Sequence, residues 1–371
     1  RFSSSIKEKF VLLPKKSVIP TFVLLALVSM IGCSGPGSTQ ETIRLTVVDG
    51  YPTQSLWVKE FVEYYIPEVE KRLTAKGNFK IRWNQAWGGQ IVKTRNVLPG
   101  LQKGLGDIGI VTTVFHQDKV PIQAIAYVTP FVTTDPELVA RTVDEIAEKF
   151  PEMREAWEKY NQVYLTNMVV LDSYQLFSKE PIEALSDLNG LKINGAGTNL
   201  RYLQGLGSAG VAGSLVTYFQ NINTGVVDAA MIWPEAAVSF KMHEVAPYML
   251  QADMGTVNSK AITVNKRAWD KLPAEVQEIL AETAVDYRDH VAALAVSKGA
   301  ESLRLFQENG GTIATLSASE RDQWAKNMPN IAKEWAEGLE EKGLPGHEIL
   351  KFYMDTMRTN GQNISRHWDR E

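Results

Sequence analysis

Two periods alternate along the chain, and together they predict most of its elements. Residues 43–48 alternate apolar and polar positions and are rich in β-branched residues, so they predict a first strand. Residues 55–75 carry apolar positions at helical spacing, and 79–83 predict a second strand. A helix follows over 92–103, bent or ended by Pro99 and Gly100, and then a third strand over 106–111. Strand, helix, strand, helix, strand predicts an α/β domain with largely parallel strands.

Further along, 135–160 is helical and charged, while 163–170, 174–178, 191–194, 229–233 and 261–264 predict strands. A helix is expected from about Thr198. Residues 273–308 predict one or two long helices with Pro273 in the first turn, and the tail 317–366 is helical with a break at 343–346.

The first 33 residues depart from this pattern. Lys7, Lys9, Lys15 and Lys16 precede an uncharged, largely apolar run over 18–32, the layout of an export signal. The run is shorter than the roughly 20 residues a membrane span needs. It ends at Cys33, the only cysteine, which excludes an internal disulfide. A small residue before a lone Cys resembles a bacterial lipoprotein processing site, although Met30 stands where Leu is usual. The expectation is a signal peptide over 1–32, a lipid on Cys33 and a flexible tether over 33–41. The competing reading is an ordinary secretory peptide or an uncleaved anchor.

The 371 residues, 44% hydrophobic and 22% charged, suit a globular protein of two domains. The net charge of −4 becomes −8 once residues 1–32, with five basic and one acidic residue, are removed. That balance argues against a nucleic-acid partner.

Several motifs in order carry a resemblance. They are Ala86-Trp87-Gly88-Gly89-Gln90, then Leu101-Gln102-Lys103-Gly104 with Gly106-Asp107-Ile108-Gly109, and Thr129-Pro130-Phe131. Pro181 to Asn194, Asn223-Thr224-Gly225-Val226-Val227-Asp228-Ala229-Ala230, and Val264 to Pro273 complete the set. The chain thereby resembles the extracytoplasmic solute receptors of TRAP (tripartite ATP-independent periplasmic) transporters, over roughly 43–344.

That resemblance implies an α/β, two-lobed, periplasmic-binding-protein-like fold with discontinuous lobes, crossing strands and a long connecting helix. One lobe would hold 42–171 with 260–300, the other 172–259 with 301–371. It also implies a periplasmic, non-enzymatic protein, and no cofactor or metal is expected. Such a receptor captures a small organic molecule in the cleft and delivers it to TRAP membrane subunits. Two alternatives stand beside this: a receptor of the same fold serving a sensor or signalling partner, and a secreted bilobal hydrolase or lyase.

By position in the family, Asn194 falls where an Arg clamps the ligand's carboxylate, and Tyr174 where many members have a second Arg. A neutral amide and a phenol thus replace two bidentate donors. The expected ligand is therefore not a simple carboxylate, or is clamped by Arg95, Arg201 or backbone N–H groups near Thr198. Tyr51, Trp87, Phe115, Tyr174, Phe219 and Trp233 fall at cleft positions, where aromatic walls suit a ring or amphipathic ligand. Core packing is the competing reading for each. Trp87 and Trp233 lead, because they follow strands beside glycine or proline. Glu235 is a candidate acceptor for ligand hydroxyl or amine groups, and Asp228 reads as a structural turn residue.

Other signals lead nowhere. Gly205 to Gly210 matches G-x-G-x-x-G, but a helical stretch precedes it where a dinucleotide site needs a strand. The five histidines are scattered, and no nucleophile elbow or triad pattern is present. His116 follows the third strand and falls within reach of the cleft. Met231 stands where an acidic metal-binding residue occurs in some family members.

Overall fold

The computed structural model describes residues 40–371. The expected signal peptide over 1–32 and Cys33 lie outside the described residues, as does nearly all of the tether. Among the described residues, no helix is long and apolar enough to cross a membrane.

Two mixed sheets form the body. The first contains β1 (Glu41–Val48), β2 (Phe79–Ala86), β3 (Ile108–Thr112), β4 (Gln162–Met168) and β10 (Lys260–Asn265), in the order β2-β1-β3-β10-β4. β1 runs parallel to β2 and β3, as the strand–helix alternation predicts, whereas β10 is antiparallel to β3 and β4. The second contains β5 (Gln175–Ser178), β6 (Lys192–Gly195), β7 (Ala209–Ala212), β8 (Ala229–Ile232), β9 (Tyr248–Gln251) and β11 (Thr312–Thr315). Its order is β11-β9-β5-β8-β6-β7. Each sheet therefore draws its strands from separate stretches of chain, and the fold is a two-lobed α/β arrangement.

The chain crosses between the sheets three times: over 169–174, over 252–259, and through the helix Ala274–Glu308 that joins β10 to β11. The first two of these segments run together. Tyr174 N–H donates to the Gly255 carbonyl at 3.1 Å, and Met254 N–H donates to the Tyr174 carbonyl at 3.1 Å. The Gln175 side chain accepts from Ala252 N–H at 2.8 Å and Asp253 N–H at 2.9 Å.

Most helical segments fall near the expected positions. Val97–Gln102, however, runs through Pro99 and Gly100, since Pro99 stands in the first turn, where its missing N–H has no intrahelical partner. Gly197–Leu203 is a 3-10 helix. The stretch predicted over 55–75 is Leu56–Glu60, a π-turn at Phe61–Tyr65, and Ile66–Lys76. Pro67 lacks an N–H and crowds the preceding turn, which accounts for the widened ring just before it. The charged stretch over 135–160 divides at Pro151 into Pro136–Lys149 and Glu152–Glu158. Asp135 caps the first of these, accepting from Leu138 N–H at 2.9 Å.

Ala274–Glu308 is one helix of 35 residues and touches both sheets' layers. Leu280 accepts from the Tyr65 hydroxyl at 3.0 Å, and Tyr287 donates to the Trp57 carbonyl. At the other end, Phe306 meets Phe177 of β5 edge-on at 5.2 Å. The tail also touches both sides. Trp324 donates to the Tyr202 carbonyl at 2.6 Å, and Trp368 to the Pro130 carbonyl at 2.8 Å.

Asp172, on the first crossing segment, presses against this helix at Gly299, where a Cβ would lie 2.2 Å from its Oδ2. Burial raises its carboxyl from the ordinary 3.8 to about 6, with Asp253 and Glu235 adding to the effect. A folded-state value above the unfolded one means that stability falls as pH rises from about 4 through 6. Asp172→Asn should therefore raise the free energy of unfolding by about 1–3 kcal/mol at pH 7.5 and leave it unchanged at pH 4. Equal gains at both pH values in urea denaturation would contradict this.

Candidate functional site

The carboxyl ends of β1, β3, β6 and β8 converge between the two sheets, where open α/β folds place their ligands. The antiparallel β10 brings its first residue to the same place, because Lys260 pairs with Thr112, the last residue of β3. A cavity of about 30 Å³ lies at this junction. Tyr51, Trp57, Tyr127, Ser259 and Lys260 line it from the first sheet's side. Tyr174, Leu215, Tyr218, Met231 and Trp233 face them from the second. A space of that size holds about one water, so admitting an organic molecule requires the sheets to part.

The rings form a continuous wall. Tyr51 meets Trp57 edge-on at 5.0 Å, Trp57 lies 6.4 Å from Trp233, and Trp233 meets Tyr174 at 6.0 Å. Burial holds the Tyr174 phenol above its usual range.

A buried carboxylate and a buried ammonium adjoin these rings. Asp49, which is fully buried, accepts from Tyr51 N–H at 3.1 Å and from the Trp57 indole N–H at 2.8 Å. The Lys260 ammonium donates to Thr112 Oγ1 at 2.8 Å and lies 4.1 Å from the Trp57 ring centroid and 4.4 Å from that of Tyr51. Burial pushes Asp49 up and Lys260 down, and each charge opposes the shift of the other.

Among the residues singled out in the sequence, Tyr51, Tyr174 and Trp233 lie on the cavity wall. The remaining five stand elsewhere. Trp87 donates to Gln85 at 3.0 Å and packs against Phe61. Phe115 lies under the Arg95 guanidinium at 4.3 Å, and Phe219 packs on the core margin. Glu235 is buried, accepts from the Trp233 indole at 3.1 Å and the Ser239 hydroxyl at 2.8 Å, and is raised by burial.

Asn194 is fully buried, with both ends of its amide engaged. Its Nδ2 donates to the Val211 carbonyl at 3.0 Å, and its Oδ1 accepts from Asn221 at 2.9 Å. The alternative clamps are engaged as well. Arg95 donates to the Gly213 carbonyl at 3.0 Å, and Arg201 pairs with Glu334 at 2.6 Å. Thr198 donates to Gln117 across the two sides. His116 is buried, and burial lowers it to about 4, so its ring is neutral. Asp228 accepts from Lys192 N–H at 2.9 Å and pairs with Lys179 at 2.8 Å, a structural arrangement.

Sequence reading missed Asp49, Trp57, Tyr127, Tyr218, Ser259 and Lys260. The available signal was positional: Asp49 follows β1, and Lys260 opens a strand whose other residues carry no charge. Among the described residues, no group of acidic, His or Cys side chains is arranged to hold a metal.

A two-lobed α/β fold with an aromatic cleft at the strand ends defines a ligand-capturing receptor. The family described as bacterial extracellular solute-binding protein, family 7, matches residues 50–338, and this chain belongs to it. Its members are solute-binding proteins, not enzymes.

The C4-dicarboxylate-binding periplasmic protein of Rhodobacter capsulatus is 27% identical over 162 residues, 43% of this chain and 48% of that protein. The match thus spans about half of that relative's length. A solute-binding protein of Albidiferax ferrireducens is 21% identical over 303 residues, covering 80% and 86% of the two chains. Among solved structures, a TRAP solute-binding protein from Rhodoferax ferrireducens in complex with copurified benzoate superposes with a TM-score of 0.76. It is 18% identical, and the match covers 85% of this chain and 98% of that one.

Proposed function

We propose that this protein captures a small organic molecule between its two sheets and delivers it to the membrane subunits of a TRAP-type transporter. The observation that carries the reading is the aromatic wall contributed by both sheets around one buried ammonium, at the carboxyl ends of the strands. Flat rings supply apolar area with polar tips, so the ligand we propose is an organic acid with an aromatic or amphipathic body. The benzoate of the Rhodoferax relative is of this kind.

The lobes we propose are 42–171 with 260–300, and 172–259 with 301–371, the tail helices bracing both. Binding favours the closed arrangement only by the ligand's higher affinity for it. Ahead of the body, we propose a signal peptide over 1–32 and a lipid on Cys33 that tethers the receptor to the periplasmic face of a membrane.

A thermal-shift screen of acids, amino acids and aromatic metabolites tests the receptor reading. A ligand at 100 times its dissociation constant stabilises by about 2.7 kcal/mol. Failure of every compound to stabilise, or turnover of one by the purified protein, would refute it. Palmitate labelling that persists in Cys33→Ser would refute the anchor.

A further inference from the structure

The cleft has one cationic group on its wall, and that group is incompletely used. Lys260 is 3% exposed. An ammonium has three N–H donors, and Lys260 directs one of them to Thr112. Its neighbour Ser259, also on the cavity wall and 4% exposed, has a buried Oγ with no hydrogen-bond partner. An unsatisfied buried hydroxyl on the same cavity wall as an ammonium with donors to spare is costly unless an acceptor arrives.

Asp49 does not fill that role. Both of its oxygens already accept bonds, from Tyr51 and Trp57, and it stands behind the cavity wall rather than on it. Asn194, Arg95 and Arg201 are committed to other partners. The seat for an acceptor is therefore the start of β10.

Resting on the receptor reading above, we infer that Ser259 and Lys260 form the anion seat of the cleft and that it accepts one negative charge. The ligand is a monocarboxylate or similar monoanion on a flat apolar body. Charge balance sets this limit. The Asp49 carboxylate already acts on Lys260 from behind the wall, so a bound monoanion leaves the group of three at a net −1. A second ligand charge would be buried among Tyr174, Leu215, Met231 and Trp233 with no cationic partner on the wall.

The pH response follows from the same geometry. Asp49 is the charged group that acts on Lys260, and burial lowers the ammonium against that attraction. The facing phenols of Tyr51, Tyr127, Tyr174 and Tyr218 are held above their usual range and stay neutral. Arg95 lies near Tyr51 with a fixed charge. Anion affinity should thus fall with rising pH well below the ordinary lysine range. Asp49→Asn, which removes the charge that keeps Lys260 protonated, should move that fall to lower pH.

The test is calorimetric titration of the full chain with benzoate and phenylacetate, their neutral amides, succinate and phthalate, across pH 6–9. We expect at least one monocarboxylate to bind, with its amide and both dianions weaker by about 100-fold. Lys260→Met should lose about 100-fold for the same acid, and Ser259→Ala a smaller factor. Succinate or phthalate binding as tightly as either monocarboxylate would overturn the inference, as would Lys260→Met binding like the unaltered chain. Should that variant fail to fold, a pH-independent affinity in the unaltered chain overturns it equally. Binding of the amides alone removes the anion seat and leaves the receptor standing. Binding of nothing in the set removes the anion seat, and the broader metabolite screen above then decides the receptor reading separately.

Discussion

Replacing Arg288 by Met should lower the free energy of unfolding by about 3–5 kcal/mol, because it strands a buried carboxylate. Arg288 sits on the long helix Ala274–Glu308 and pairs with Asp144, and the two are 7% and 8% exposed. Asp144 is also the acceptor for the Tyr164 hydroxyl at 2.7 Å, the Asn167 N–H at 3.2 Å and the Thr166 hydroxyl. The guanidinium thus supplies the only positive charge in a site whose other donors are neutral. Adding Asp144→Asn to Arg288→Met should recover part of the loss. The amide oxygen still accepts from Tyr164 and Thr166, and the uncompensated charge is gone. Urea denaturation decides the matter: a single variant within 1 kcal/mol of the parent would show that water reaches the carboxylate.

Gly50→Ala should cost about 3 kcal/mol, the upper part of the range for overpacking, and should abolish the thermal response to ligand. A Cβ at Gly50 would lie 2.1 Å from Thr94 N, 2.4 Å from Thr94 Cα and 2.6 Å from the Lys93 carbonyl carbon. These are backbone atoms, so relief requires one loop to move bodily. Gly50 lies between Asp49 and Tyr51, and that movement displaces both from Trp57 and Lys260. Gly338→Ala is the matched control. It lies inside a helix with nothing within 4 Å of the added carbon, so it should be neutral or stabilising by up to about 1 kcal/mol. Wild-type ligand response in Gly50→Ala would mean that the loop after β1 does not shape the cleft.

The elements with strong periodicity were legible in the sequence. β1, β2 and β3 with their intervening helices follow from local pattern, and so does the helix opening at Pro273. Three strands were not. β7 reads Ala-Gly-Val-Ala and β11 reads Thr-Ile-Ala-Thr, both edge strands too short and too exposed for alternation to register. β9 reads Tyr-Met-Leu-Gln, with no period at all. The antiparallel entry of β10 was also hidden, since its direction depends on which end of the second sheet the chain leaves.

The site divides in the same way. Tyr51, Tyr174 and Trp233 were legible because they flank strands. Lys260 was not, because a lysine in sequence reads as a solvated surface charge. What makes it otherwise is Asp49, which the fold carries to it from two hundred residues earlier in the chain. Asn194 is buried in β6, and no sequence pattern reveals that Val211 and Asn221 occupy its amide.

The 35-residue helix has a mechanical consequence. At 1.5 Å per residue it is a rod of about 52 Å, bolted near Leu280 and Arg288 to one half and at Phe306 to the other. Such a member transmits torque but cannot lengthen, so the halves are barred from sliding apart. What remains to them is a swivel about the paired strips near Tyr174 and Gly255. For the receptor proposed above, admission and release of cargo are then a matter of angle, not of distance.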